Sequence, residues 1–246
     1  MHTALVSTND ISAQGSARLG DAASHHLRTV LRVHVGDEVR LLDGCGHRRL
    51  ATIVDTGKAG VVCEMRGEVE TLPQPPVDIT LFQCVAKPVR FDWLLEKAVE
   101  LGVARIVPIV SARSVVRIAA GEKQDRWQRI VEAALCQCGG GWITEIEAPL
   151  KWNEALARMM AFDGPLLVGA LFGTTRPVGE VLQELRTTEI PRSVGWLIGP
   201  EGDFSPDELD SAIQAARAIP VSLGTNVLRV ETAALFGVSA TLAILG

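Results

Sequence analysis

Gly195-Trp-Leu-Ile-Gly-Pro-Glu-Gly-Asp-Phe-Ser205 is the stretch that decides how this chain is read. An apolar run ends at Ile198, a glycine-bearing loop follows, and Ser205-Pro206-Asp207-Glu208 has the form of a helix start. Ser205 can cap, Pro206 suits the first helical position, and Glu208 completes a capping box. Leu209, Ala212, Ile213 and Ala216 then recur at helical spacing. A second stretch, Leu223-Gly-Thr-Asn-Val-Leu-Arg-Val-Glu-Thr-Ala-Ala234, repeats the scheme of strand, loop and helix. There Arg229 and Glu231 stand two apart among Leu228, Val230 and Ala233. Charged side chains in such surroundings are seldom buried unless they are paired or functional. Open α/β sheets take their ligands at loops of this kind, beyond the carboxyl ends of the strands.

Outward from these loops, residues 73–246 alternate strand and helix. Ile79–Val85, Ile106–Val110, Pro165–Leu171, Val194–Ile198 and Val221–Leu223 read as strands. Phe91 to Leu101, stopped by Gly102, and Trp127 to Leu135, stopped by Gly139-Gly-Gly141, read as helices, as do Trp152–Met160 and a terminal helix from about Thr232. Alternation of this kind predicts a mostly parallel sheet with helices on both faces. The terminal stretch Ala233–Leu245 is apolar on nearly every side, which calls for burial all round, either in the core or against a second subunit.

Residues 1–72 differ. Short strands at Glu38–Leu42, Leu50–Val54 and Gly60–Met65, with Gly36-Asp37 and Asp43-Gly-Cys-Gly46 as turns and one helix over Ala22–Leu31, suggest a small β-barrel. Leu72-Pro-Gln-Pro-Pro-Val77 is the expected linker between the two domains.

Composition narrows the function classes. The 246 residues are 47% hydrophobic and 22% charged, with a net charge of −5, which is the profile of a folded chain with a real core. No run is long and apolar enough for a transmembrane helix, and the first residues lack the form of a signal peptide, so the cytoplasm is the expected location. The five cysteines include no Cys-x-x-Cys pair, and no metal site is expected. The net charge is −1 over residues 1–72 and −4 over 73–246, so any contact with nucleic acid must come from local patches.

Ile198-Gly-Pro-Glu-Gly202 and Leu223-Gly with Leu228-Arg-Val-Glu-Thr-Ala233 resemble the two signature motifs of the ribosomal RNA small-subunit methyltransferase E family, of the SPOUT class. His26–Arg32, Lys97-Ala-Val-Glu-Leu-Gly-Val103, Ser111-Ala-Arg-Ser114, Arg126-Trp-Gln-Arg129 and Gln137-Cys-Gly139 extend the likeness in the right order. The resemblance implies a PUA-like barrel over 1–72, a SPOUT domain over 73–246 with a C-terminal trefoil knot, and a homodimer. It implies S-adenosyl-L-methionine as cofactor and N3 of a uridine in 16S rRNA of the small ribosomal subunit as target.

On that footing Leu171, Ile198, Gly199, Pro200, Gly202, Leu223, Gly224, Val227, Leu228 and Thr232 are expected around the cofactor. Glu201 would either tie the loops or meet a cofactor hydroxyl. Arg229 would stabilise charge on uracil or grip a phosphate, and Glu231 would accept a proton or orient Arg229; a mutual salt bridge is the plain alternative. Arg28, Arg32, Lys87 and Arg90 are the expected RNA contacts. The chain departs from the family pattern at Gly140, Gly141, Asn226 and Val230, all on the RNA side of the reading, so the target nucleotide could differ.

Overall fold

The structure is a computed structural model, and it describes residues 1–114 and 124–246. By its contacts the chain divides into two units: residues 1–74 with 132–143, and residues 75–131 with 144–246.

The first unit is built from β1 (His2–Leu5), α1 (Thr8–Ile11), β2 (Ser16–Arg18), α2 (Asp21–His25), β3 (Glu38–Leu42), β4 (His47–Asp55) and β5 (Val62–Thr71). They form one sheet in the order β1-β3-β4-β5-β2, antiparallel except for β1 against β3. Its core is Ile11, Leu27, Val39, Leu41, Ala51, Ile53 and Cys63, drawn from alternate strand positions. The helix expected over Ala22–Leu31 is present but changes its winding: α2 runs without a gap into a π-helical turn over His26–Val30. Arg32 follows with φ +52°, so it does not stand one helical turn above Arg28. Segment 132–143 packs into this unit through Trp142. Its indole covers Gly46, where a Cβ would meet the ring at 2.3 Å, and its Nε1–H donates to the Pro73 carbonyl at 3.0 Å.

The second unit runs β6 (Asp78–Cys84), α3 (Pro88–Glu100), β7 (Arg105–Val110), α4 (Gln124–Cys138, its first half), β8 (Glu145–Ile146), β9 (Leu150–Lys151), α5 (Trp152–Met160), β10 (Leu166–Gly169), β11 (Arg176–Pro177), α6 (Val178–Thr188), β12 (Ser193–Ile198), α7 (Pro206–Gln214), β13 (Ile219–Ser222) and α8 (Val230–Leu245). The sheet order is β11-β13-β10-β12-β6-β7-β8, with β9 also on β7, and every pair is parallel. The five expected helices (α3, α4, α5, α7 and α8) and the central strands fall where the apolar spacing put them. Helix α6 was not anticipated, although Val178, Val181 and Leu182 mark its buried face.

Successive strand residues face opposite sides, and the core follows that rule. Phe82, Val107, Val168 and Leu197 pack with Ala155 and Met159 of α5 and Ala212 of α7. Trp196, one residue earlier, faces α8. Helix α8 is buried along one face only, through Val230, Ala234, Val238, Thr241 and Leu245, while Phe236 remains 44% exposed. The expectation of burial all round is therefore corrected for the single chain.

Candidate functional site

Three parallel strands lie side by side in the order β13-β10-β12, and each hands the chain to a loop at its carboxyl end. Residues 170–175, 199–205 and 223–229 are those loops, and together they wall a cleft of about 480 Å³. That volume is in the range that holds a drug-sized or cofactor-sized molecule.

The 199–205 loop is fixed from several sides. Ser205 accepts from Glu208 N at 3.2 Å, and Glu208 returns a carboxylate oxygen to Ser205 N at 2.9 Å, so the capping box read from the sequence is present. The second oxygen of Glu208, itself buried, accepts from Ala112 N at 2.7 Å and so pins the loop after β7 to the start of α7. Arg113 donates to the carbonyls of Gly202 and Phe204 at 3.1 and 3.2 Å. Asp203 takes φ +58° and its carboxylate accepts from Phe204 N, which lets a non-glycine residue hold a turn that normally favours glycine.

The 223–229 loop is held more lightly. Gly224 takes φ +124°, a backbone state closed to most residues. Among the described residues, the backbone groups of Thr225 to Leu228 make no hydrogen bond within the chain. They are donors and acceptors open to a ligand.

Of the expected cofactor contacts, Leu171, Ile198, Gly199, Pro200, Glu201, Leu223, Gly224, Val227 and Leu228 line the cleft. Gly202 lies just outside, against Arg113, and Thr232 is not on the wall. The wall also holds Gly169, Ala170, Phe172, Thr175, Asp203, Ser222, Thr225 and Ala233, together with Asn226 and Val230, which the sequence reading set on the RNA side. Phe172 is 74% exposed and Val227 76%, an apolar pair that could have been flagged as hydrophobic residues in glycine-bearing loops.

Arg229 is on the wall, exposed, and without an ion pair among the described residues. It is the N-cap residue of α8. Glu231, in the first turn, is only 8% exposed, and its ion-pair partner is Arg90 at 3.9 Å. The mutual Arg229–Glu231 bridge is therefore not formed, because the helix turn points the two side chains apart. Arg90, expected to face RNA, also lines the cleft and lies 3.8 Å from Glu201. Lys87 is the N-cap residue of α3. In the first unit, Arg28 donates to the carbonyls of Ser24 and Gly57, whereas Arg32 is exposed and unpaired among the described residues.

Burial pushes the Cys84 thiol far up and the Cys63 thiol up to about 11, so both stay protonated. Among the described residues no three His, Cys, Asp or Glu cluster as metal ligands, and no helix is long and apolar enough to cross a membrane.

The family model described as an RNA methyltransferase domain matches residues 73–242, and that described as an RNA methyltransferase PUA domain matches residues 19–65. A ribosomal RNA small subunit methyltransferase E from Synechocystis is 31% identical over 89% of this chain and 70% of its own length. The chain belongs to the ribosomal RNA small subunit methyltransferase E family. Solved structures agree with membership. The family enzyme from Neisseria gonorrhoeae bound to S-adenosyl methionine superposes with a TM-score of 0.85 at 27% identity, over 100% of this chain and 98% of that one. A methyltransferase from Legionella pneumophila in complex with the bound cofactor SAM gives 0.84 at 28% identity, over 99% and 97%. The fold is thus the SPOUT arrangement of a parallel sheet between helices, with a PUA domain before it.

Proposed function

We propose that this chain transfers a methyl group from S-adenosyl-L-methionine to N3 of a uridine in 16S rRNA, within the small ribosomal subunit. The observation that carries the reading is the cleft: apolar walls, free loop backbone at Thr225 to Leu228, and an unpaired Arg229 at its edge. Those walls suit a flat heteroaromatic ring whose edge is read by backbone donors and acceptors. Glu201 and Asp203, both on the wall, are the residues proposed to meet ribose hydroxyls. When bound, the cofactor supplies a methyl group on a positively charged sulfur.

The chain's own residues do the rest. Uridine N3 carries a proton at neutral pH, so its lone pair becomes available only as that proton leaves. Arg229 offers a guanidinium to the negative charge that then spreads over the uracil oxygens. Glu231 is the nearby carboxylate able to accept the proton. The target base must stand out of any helical stack to reach such a cleft. Lys87 and Arg32 are proposed to hold backbone phosphates, since phosphate contacts position without reading sequence.

We also propose a homodimer and a trefoil knot. Val89 and Trp93 of α3 and Phe236 of α8 are exposed apolar side chains on two helices that pack together, which supports a paired surface there. The placement of β10 between β12 and β13 supports a chain that threads past itself after β12. A cytoplasmic location follows from the substrate.

A second reading keeps the chemistry and changes the position methylated. Asn226 stands on the cleft wall where the family commonly has arginine, and the Gly139–Gly141 turn replaces a cationic loop. The test is calorimetric titration with S-adenosylmethionine, then methylation of unmodified small-subunit particles and mapping of the labelled nucleotide. Cofactor binding with label at a uridine N3 is expected. Label elsewhere selects the second reading, and a protein that binds no cofactor overturns both.

A further inference from the structure

We propose that Arg90 is a positioning residue of the cleft: its guanidinium stands between Glu201 and Glu231 and ties the loop after β12 to the first turn of α8. The inference rests on the proposed reading of the cleft as a methyl-transfer site.

Two carboxylates come from two different loops. Glu201 belongs to the loop after β12, and Glu231 to the first turn of α8. Arg90 approaches from α3, with Nη1 3.8 Å from Glu201 and Nε 3.9 Å from Glu231. These separations are ion pairs rather than hydrogen bonds. Glu201 is on the cleft wall and Glu231 is buried behind it, so the guanidinium links the wall to the start of α8. One forked, always-charged side chain can serve both partners at once, which a point charge on a flexible stem does less well.

The second observation is the state of Glu231. Its side chain is about nine-tenths buried, yet Oε2 has no hydrogen-bond partner. Buried polar atoms are nearly always satisfied, and an exception calls for an explanation. Oε1 faces Arg90, so Oε2 is the free lobe. Oε2 is closed to solvent as well, so loss of Arg90 would leave a buried carboxylate with no counter-charge among the described residues.

The same feature separates Arg90 from a phosphate contact. A phosphate-binding arginine needs its charge available, whereas Arg90 is flanked by two acids and is half-buried.

The experiment is a double-mutant cycle on the full chain with Arg90→Gln, Glu231→Gln and the pair, plus Arg90→Lys. Each protein is titrated with S-adenosylmethionine, unfolded in urea, and bound to small-subunit particles over a salt series. Arg90→Gln should weaken cofactor binding about tenfold, and the double variant should be no weaker than the worse single one, as expected for coupled neighbours. Arg90→Lys should recover part of the loss. The salt slope for particle binding should not move. In urea, Glu231→Gln should be less costly in the Arg90→Gln background than in the wild type, because the stranded charge is then gone.

Cofactor affinity unchanged in Arg90→Gln, with a flattened salt slope, overturns the proposal in favour of a phosphate contact. Losses that multiply in the double variant overturn it too. A wild-type chain that binds no cofactor overturns the methyl-transfer reading instead. The urea cycle then decides the Arg90–Glu231 coupling by itself, and its absence there ends the proposal.

Discussion

A Cβ added to Gly237 would lie 2.9 Å from carbons of the Trp196 indole, and that indole donates its Nε1–H to Thr241 Oγ1 at 2.9 Å. Helix α8 can therefore lie this close to β12 only because residue 237 has no side chain. Trp196 is fully buried and cannot swing away. Alanine normally gains about 1 kcal/mol over glycine inside a helix. Here overpacking of about 1–3 kcal/mol opposes that gain. Gly237→Ala should lower the urea midpoint; a raised midpoint would show that α8 yields freely.

Two of the glycines that line the cleft, Gly169 and Gly199, should respond differently to substitution. A Cβ on Gly169 meets Leu223 at 3.3 Å and Ile198 at 3.5 Å, both wall residues. A Cβ on Gly199 instead meets the buried Phe204 ring at 3.1 Å. Gly169→Val should cut cofactor affinity about tenfold by filling the cleft, the size of effect one misplaced alkyl group gives in a pocket. Gly199→Val should show its loss chiefly as a lower melting temperature. Equal melting temperatures with unequal affinities in the opposite order would refute this assignment.

Arg229→Ala should slow methylation about a hundredfold, the range seen when one donor to a developing charge is removed. Its exposure and lack of an ion pair mean that no internal contact is lost. Titration with cofactor should give nearly the wild-type affinity. An unchanged single-turnover rate would remove Arg229 from the chemistry.

Asp43 offers a test in pH. Burial raises its pKa, but the backbone N–H groups of His47 and Cys45 and the His47 ring at 2.8 Å outweigh that and hold the carboxyl below its usual value. A group with a depressed folded pKa stabilises above its unfolded pKa, and that stability is lost as pH falls through the folded value. Asp43→Asn should therefore cost about 1–3 kcal/mol at neutral pH. The gap from wild type should close below about pH 4. A constant gap across urea titrations from pH 7 to pH 3 would count against the carboxylate's role.

What the sequence shows is what is local. The capping box at Ser205 and Glu208, the glycine stops at Gly102 and Gly139, and the apolar rows of α3 and α5 need only neighbours within a few residues, and each is present. Most of the cleft was legible for the same reason, since two of its three walls are contiguous motifs. Arg90 was not, because its partners lie 111 and 141 positions further along the chain. Of the third wall only Leu171 was legible; Phe172 was not, since it follows a strand that ends at Gly169 rather than at Leu171. In the first unit guanidinium groups also serve as struts, which residue counting does not show. Arg28 and Arg49 are spent on the carbonyls of Ser24, Gly57, Gly67, Ile11 and Ala13.

Trp142 has a consequence for dissection of the gene. The indole that covers Gly46 and anchors Pro73 is encoded some seventy codons after the strand sheet it completes. A fragment ending at residue 74 would lack that lid, and a transplant of the barrel into another protein would leave its open turn bare. The smaller unit is a split gene product in miniature. Its inheritance, truncation or exchange must carry residues 132–143 along with it.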